Sequence, residues 1–376
     1  MKYIVSYDIE KYKNENRKYV LSATNKVNYI CKALLKINQK IEIISFSRTQ
    51  NNKFYKGRKD ELSFGTLLNF ATIPGGNLIF RRLSMKFAQL QLFLYLLKNT
   101  KKDEEILVYH SVGYGNAIYL AKKIKKFKMI LEVEEIYQDI RSLGKRKNER
   151  EYRDFKIADK YIFPTKLLNE KINVENKPYC IIHGTYQVEE KKNVSFKDDK
   201  IHVVYAGTFE PRKGCGAAAK AAEWLPENYH IHILGFGTEK QAENIKKQIE
   251  ETNSKAKATV TYDGLLSGKE YIEFIQKCHI GLSTQNPDAE FNATSFPSKI
   301  LSYMANGLRV VSIKIPAIQT SDIGNKLYYY EKQTAEEIAK TIMDIDLNDD
   351  YDGRKIVGSL DEKFSAEINE LLKTKV

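Results

Sequence analysis

Cysteine is scarce and dispersed in this 376-residue chain: Cys31, Cys180, Cys215 and Cys278 form no CxxC pair. That spacing argues against a cysteine zinc site and a disulfide framework, and it predicts a reduced, cytoplasmic setting. No apolar run reaches membrane-spanning length, and Met1-Lys2 leads straight into Tyr3-Ile4-Val5-Ser6-Tyr7, too short a stretch for a signal peptide. A soluble or peripheral protein is expected. Internal repeats and low-complexity tracts are missing too. The acidic pairs Asp198-Asp199 and Asp349-Asp350 do not make an Asp-x-Asp site in a suitable turn, which agrees with a chemistry that needs no metal, although acidic pairs alone prove nothing.

What is present is an uneven charge. Residues 1–200 carry 40 Lys+Arg against 23 Asp+Glu, a net +17, whereas residues 201–376 carry 21 against 25, a net −4. The two halves therefore face different partners. A basic first half attracts nucleic acid, anionic lipid headgroups or a phosphorylated substrate through the same long-range field. A generally lysine-rich proteome would have raised both halves alike.

Short apolar runs alternate with amphipathic stretches throughout, the pattern of parallel sheets covered by helices. In the first half, strands are predicted at Tyr3–Tyr7, Ile41–Ser45, Ile106–His110, Met129–Val133, Tyr161–Phe163 and Tyr179–Ile182, with a helix from Thr24 or Asn25 through Leu35. The segment Arg48–Gly76 lacks periodicity and reads as a long loop. In the second half, strands are predicted at His202–Ala206, His230–Leu234, Ala258–Tyr262, Ile280–Ser283 and Arg309–Ile313. The charged stretch EEKKNVSFKDDK (189–200) reads as a linker. The predicted organisation is an N-terminal domain over 1–188, that linker, a C-terminal domain over 201–350 and a helical segment over 351–376 that packs back on the first domain.

Doubly wound sheets bind ligands at the carboxyl ends of their strands, so the turns after the strands matter most. The first turn of the second half is YAGTFEPRKG: Gly207 permits close backbone approach, and Arg212 and Lys213 place two cations beside the next helix. An exposed basic turn explains the same residues. The next strand end, ILGFGTE, offers Gly235 and Gly237 but not the rest of a dinucleotide fingerprint. The segment Asn292–Val311, NATSFPSKILSYMANGLRVV, joins a polar loop, a helix with apolar Ile300, Leu301, Met304 and Ala305, a stop at Gly307 and a strand. Thr294, Ser295, Ser298 and Lys299 gather at the start of that helix, where free N–H groups favour an anion. An ordinary capped helix is the alternative.

In this order, YAGTFEPRKG, ILGFGTE, VTYDGLL and SFPSKILSYMANGLRVVS resemble the donor domain of GT-B glycosyltransferases, specifically the retaining glycosyltransferase family 4 of bacterial surface-polysaccharide assembly. The resemblance covers about residues 201–330 well and the first half loosely. It implies an α/β GT-B fold of two Rossmann-like, doubly wound parallel-sheet domains facing a cleft. It also implies transfer, with retention of configuration, of a sugar from a nucleotide-diphosphate donor such as a UDP-sugar to a glycan acceptor; the basic first half suits an acceptor carried on a lipid diphosphate. No cofactor beyond the nucleotide sugar and no nucleic-acid partner are implied.

By that resemblance the donor is bound by Gly207, Thr208, Arg212, Lys213, Phe236, Gly237, Leu265, Thr294, Ser295, Phe296, Pro297, Ser298, Lys299 and Ser302. Lys213 contacts the diphosphate, 294–299 wrap the distal phosphate and sugar, and the turn 263–266 holds the base. One departure stands out: the family's two glutamates, eight positions apart, fall on Thr294 and Ser302. The second normally grips the ribose, so ribose binding is either weaker or supplied by another group; Thr294 can still hydrogen-bond the sugar, and Glu290 just upstream is a candidate carboxylate substitute. In the first half, His110 matches a histidine near the transferred sugar, and Glu134 or Glu135 is suited to the acceptor hydroxyl. Each also suits a purely structural strand end.

Lys122, Lys123, Lys125, Lys126 and Lys128 form one basic cluster and Arg141, Lys145, Arg146 and Lys147 another. Both read as solvated faces or, together with the apolar stretch Phe87–Leu97, as a peripheral contact with the inner face of the cell membrane. That stretch also suits a buried helix. Two rival functions share the fold: a nucleotide-sugar epimerase, and a noncatalytic sugar-nucleotide-binding partner of another transferase.

Overall fold

Runs rich in Ile, Val, Leu and Tyr become central strands because both faces of a parallel sheet are covered. The computed structural model describes residues 1–140, 144–288 and 290–375. It divides into two units: Met1–Pro164 with Leu168–Ile182 and Lys363–Val376, and Thr165–Leu167 with His183–Glu362.

The first unit holds β1 (Lys2–Val5), β2 (Ile41–Ser45), β3 (Arg58–Leu62), β4 (Gly65–Asn69), β5 (Glu105–Tyr109), β6 (Lys128–Glu132), β7 (Lys160–Phe163) and β8 (Tyr179–Ile181). They lie in the order β3-β4-β2-β1-β5-β6-β7-β8. Every pairing is parallel except β3 with β4. That pair corrects the reading of Arg48–Gly76 as a loop. Arg58-Lys59-Asp60-Glu61 carries too much charge to look like a strand, but it lies at a sheet edge, where charge is tolerated and blocks further pairing. On the other side of β4, Gly65 lets the strand approach β2 closely, since at φ +151° a Cβ there would lie 1.8 Å from Ile41 O.

The stretch Phe87–Leu97 lies inside the helix Leu78–Asn99, which begins where the Asn77 side chain accepts from Phe80 N. Ala88, Leu92 and Leu96 are buried in the sheet's core with Ile4, Val108 and Leu131, while Leu83, Leu90 and Leu94 on the same helix are exposed.

The second unit holds β9 (Ile201–Thr208), β10 (Tyr229–Phe236), β11 (Thr259–Gly264), β12 (Ile280–Ser283), β13 (Arg309–Ile313) and β14 (Tyr328–Tyr330). The order is β11-β10-β9-β12-β13-β14 with parallel pairing throughout. It is the doubly wound order in which direction reverses beside the first strand, and ligands bind where the two windings part, here beyond β9 and β12. The strand β14, Tyr-Tyr-Tyr, was not anticipated because three residues are too short for a readable alternation.

Residues 189–200 belong to the second unit: Glu189 N donates to Ala305 O, Lys192 N to Gln276 Oε1, and Phe196 stacks on His202. The last long helix, Gly353–Lys373, begins in the second unit and ends in the first, where Phe364 meets Tyr29 at 5.8 Å between ring centroids. The architecture is α/β with two Rossmann-like parallel-sheet domains.

Candidate functional site

In the second unit, β9 and β10 run side by side so that Gly207 pairs with Gly235 and Thr208 with Phe236. At Gly235, φ is +142° and a Cβ would lie 1.7 Å from Gly207 O, so the two backbones approach as only glycine allows. Beyond Thr208 comes a single 3-10 turn, Pro211–Lys213, and then Gly214 at φ +78°, where a Cβ would strike Thr284 O at 1.6 Å. This contact crosses from β9 to β12, the switch point of the sheet. Thr284 Oγ1 donates to Gly214 O at 2.9 Å and ties the turn down.

Lys299 enters this turn from the helix Lys299–Ala305. Its ammonium lies 3.9 Å from the centroid of the Tyr205 ring and 3.1 Å from where a Gly207 Cβ would be. Among the described residues no acceptor bonds this buried nitrogen. Burial, with Lys213 adding like-charge repulsion, pushes the Lys299 pKa down to about 7. The Tyr205 hydroxyl reaches Thr208 O at 3.0 Å and Lys213 O at 3.2 Å, holding the turn around the cation. Arg212 is half exposed and its Nε donates to Glu210 Oε1 at 2.6 Å, so its charge is partly spent inside the turn.

The helix Lys299–Ala305 follows from its sequence. Ile300, Leu301, Tyr303 and Met304 are buried, and Gly307 at φ +91° ends it, with Gly307 N bonded to Met304 O and Leu308 N to Tyr303 O. Ser298 is its N-cap but makes no side-chain cap bond and is exposed, and Pro297 O accepts from Ile300 N. Upstream, Thr294 is buried and its carbonyl accepts from Thr165 Oγ1 at 2.6 Å. Phe296 stacks on His183 at 4.9 Å, and Ser295 is half-buried between them in sequence. A Cβ on Gly184 would meet Leu301 Cδ1 at 2.9 Å, so the His183-Gly184 segment lies against this helix start.

Ser302 Oγ lies 3.2 Å from Tyr271 OH, and Tyr271 thus occupies the hydrogen-bonding capacity of the position where the sequence lacks a glutamate. Phe236 and Leu265 are exposed at the ends of neighbouring strands β10 and β11, and Gly237 opens the turn capped by Thr238. The Glu290 side chain and Arg141 lie outside the described residues.

The structure therefore gathers Gly207, Lys213 and Lys299 around one turn, with Thr208 at the strand end. It includes Gly214, the last residue of YAGTFEPRKG, and adds Tyr205, Thr284, Tyr271 and His183, none of which the sequence reading singled out. Only His183 had a signal, a histidine directly after the apolar run Tyr179–Ile182; the others are joined by contacts between distant segments.

In the first unit His110 follows β5, its N–H bonded to Glu132 O at 2.7 Å. Its ring is buried between Tyr137 and Phe155, at 5.0 and 4.9 Å between centroids, with Nε2 3.4 Å from Glu151 Oε1. Burial pushes its pKa down to about 3, partly offset by a hydrogen bond with the Glu135 backbone, so the imidazole is neutral. Glu134 pairs with Lys26 Nζ at 2.5 Å, and the same ammonium donates to Ile182 O at 3.1 Å. Glu132 is fully buried and accepts from Tyr3 OH; burial first, and then Glu134, raise its pKa. The alternation of β6 had placed Glu132 and Glu134 on one side, and their side chains do interact there. Glu135 is half-buried on the opposite phase.

Residues 187–370 match the family Glycosyl transferases group 1. The protein is a glycosyltransferase of the GT-B fold. The glycosyltransferase is similar in structure to a trehalose-6-phosphate protein from E. coli bound with UDP-2-fluoro glucose, with TM-score 0.71, 10% identity and all of both chains covered. It is similar to Anabaena Alr3699/HepE in complex with UDP and glucose, with TM-score 0.66, 11% identity and 99% of each chain covered. It is similar also to the lipopolysaccharide outer core galactosyltransferase WaaB, with TM-score 0.64, 14% identity and 100% and 99% of the two chains covered. At these identities the likeness is one of fold. No curated protein matches the sequence.

Proposed function

We propose that this glycosyltransferase moves a sugar from a UDP-sugar donor to a lipid-linked glycan acceptor, with retention of configuration, in the assembly of a bacterial surface polysaccharide. The observation that carries the donor half of this reading is the buried Lys299 ammonium, which has no acceptor among the described residues and faces the glycine turn beside Lys213. A diphosphate there completes the electrostatics of the site. As the anomeric C–O bond breaks, its electron pair stays on the diphosphate oxygen. Lys299 and Lys213 stabilise that charge without rearrangement, and the acceptor oxygen forms the new bond to the anomeric carbon while its proton passes to the departing diphosphate oxygen.

Thr208 and Gly237 frame the strand ends, Phe236 and Leu265 offer exposed apolar surface to the base, and 294–298 with Ser302 enclose the sugar and ribose. In the first unit Glu134, held by Lys26, orients the acceptor hydroxyl, and His110, kept neutral, serves as a hydrogen-bonding wall with Glu135. The structures of similar fold bound with UDP and glucose, or with UDP-2-fluoro glucose, support the choice of donor. The resemblance to family 4 supports retention.

The lipid-linked acceptor rests on the first half's charge and on the exposed Leu83, Leu90, Leu94, Leu120 and Ile124, interspersed with Arg81, Arg82, Lys86, Lys122 and Lys123. Such a surface fits the cytoplasmic, anionic face of a membrane. No described helix is long and apolar enough to cross one.

The test is incubation with a panel of nucleotide sugars and lipid-linked acceptors, read by mass spectrometry. A glycosylated acceptor is the expected product. Interconverted donor would mean an epimerase, and binding without turnover a noncatalytic partner, the reading favoured by Ser302 standing where a ribose-binding carboxylate is missing.

A further inference from the structure

Four of the six histidines in the chain, His202, His230, His232 and His279, lie together in the second unit, away from the glycine turn. The sheet puts them there: His202 on β9 pairs in register with His230 on β10, and His232 follows two residues on, on the same face. His202 and His232 are buried, and Phe196 stacks over both rings, at 4.0 and 4.7 Å between centroids.

The contacts form a line. Asp198 Oδ1 lies 2.7 Å from His202 Nε2, His202 Nδ1 lies 2.9 Å from His232 Nε2, and His232 Nδ1 lies 3.1 Å from Asp263 Oδ2. Both ends are carboxylates, which only accept when ionised. An imidazole in its neutral form carries one ring hydrogen, so two such rings bring two hydrogens to three contacts. With the carboxylates served, the lone pairs of His202 Nδ1 and His232 Nε2 face each other in the middle. His230 is set the same way: its Nε2 lies 3.0 Å from Thr261 Oγ1, which donates to Asp263 Oδ2 at 2.8 Å. The hydroxyl therefore accepts from His230 Nε2–H, and His230 Nδ1 keeps its lone pair.

We propose that His202, His230 and His232 bind one divalent transition-metal ion, with Asp198 and Asp263 orienting two of the rings. One nitrogen from each of the three lies within 4.8 Å of the others. A ring whose second nitrogen donates to a carboxylate is the usual arrangement of a metal-binding histidine. Two nitrogens 2.9 Å apart subtend about a right angle at an ion about 2.0–2.1 Å from each, which suits Ni2+ or Cu2+ directly and Zn2+ after slight opening. A CxxC search could not have found the site, because its ligands come from two strands and contain no sulfur.

The experiment uses the full chain without a histidine tag, stripped with a chelator and titrated calorimetrically with Ni2+ and Zn2+, with Cu2+ bound in parallel for electron paramagnetic resonance. The expected result is one ion per chain and nitrogen couplings from at least two imidazoles. His202→Gln and His232→Gln should each weaken binding by about tenfold or more, and Asp263→Asn by about tenfold. Absence of saturable one-to-one binding in the unaltered chain overturns the proposal, and the middle contact then carries a proton instead. So does a copper spectrum without imidazole nitrogen couplings, a readout that stands even if the variants fail to fold.

Discussion

The ammonium of Lys299 rests 3.9 Å over the ring of Tyr205, and no oxygen among the described residues accepts from it. A ring face recovers only part of what burial takes from a cation. Gly207 leaves the room for this arrangement, since a side chain there would crowd Nζ at 3.1 Å.

That relationship predicts a pH-dependent donor affinity. The Lys299 pKa is lowered to about 7, so the free protein loses the charge as pH rises through that value, and a bound diphosphate restores it. UDP affinity should fall by up to about tenfold per pH unit above neutrality. Calorimetry of Lys299→Met should show weak binding without that slope, and Lys213→Ala weak binding as well. Equal slopes in the two proteins with Lys and Met at position 299 would refute the assignment.

The glycine pair makes a stability prediction. Because a Cβ on Gly235 would lie 1.7 Å from Gly207 O at φ +142°, Gly235→Ala should destabilise the second unit by about 3 kcal/mol or more, seen as a lowered urea midpoint. Gly237→Ala, where φ is ordinary and the nearest atoms are side-chain ones, should cost much less.

Ser302 and Tyr271 form a pair whose removal should separate nucleoside from phosphate recognition. Each of Ser302→Ala and Tyr271→Phe should cost about 1 kcal/mol of stability, and the double variant about the same as either alone, as chemical denaturation would show. If the pair faces the ribose, UDP binding should weaken in both variants while pyrophosphate binding does not. Loss of both affinities alike would place the pair outside ribose recognition.

In the first unit, Glu132 has a raised pKa and therefore binds its proton more tightly folded than unfolded. The stability it contributes is complete below the ordinary glutamate range and is lost as pH climbs through the raised value. Glu132→Gln should flatten that decline, and a pH series of denaturation midpoints checks it. Lys26→Met, which strands Glu134 beside Glu132, should destabilise by about 3 kcal/mol at neutral pH.

The mixed apolar and basic surface around Leu90, Leu94, Leu120 and Ile124 should bind vesicles containing anionic lipid and release them as salt rises. Sedimentation with Leu120→Ser and Ile124→Ser should show less binding at every salt concentration. Binding that ignores both salt and lipid charge would count against a membrane role.

Much of this was legible in the chain. The strands from Ile201 to Ile313 and the helix ending at Gly307 followed from apolar period and turn chemistry, because those signals are local. The strand pair Arg58–Leu62 and Gly65–Asn69 was not legible, since a charged strand is viable only at an edge, and nothing local says where an edge will be. Lys299 could be picked as a cation near a helix start, but its partner Tyr205 sits 94 residues earlier in the chain.

The sequence alone therefore determined the apolar central strands, which turns carry glycine and cation, and which half is basic. Tertiary structure decided what meets what. Parallel pairing placed His202 beside His230, the switch between β9 and β12 brought Gly214 against Thr284, and burial left the Lys299 nitrogen without an acceptor among the described residues. Such outcomes depend on register and desolvation, which are properties of pairs of distant segments and of the space between them, and no single stretch of residues carries either.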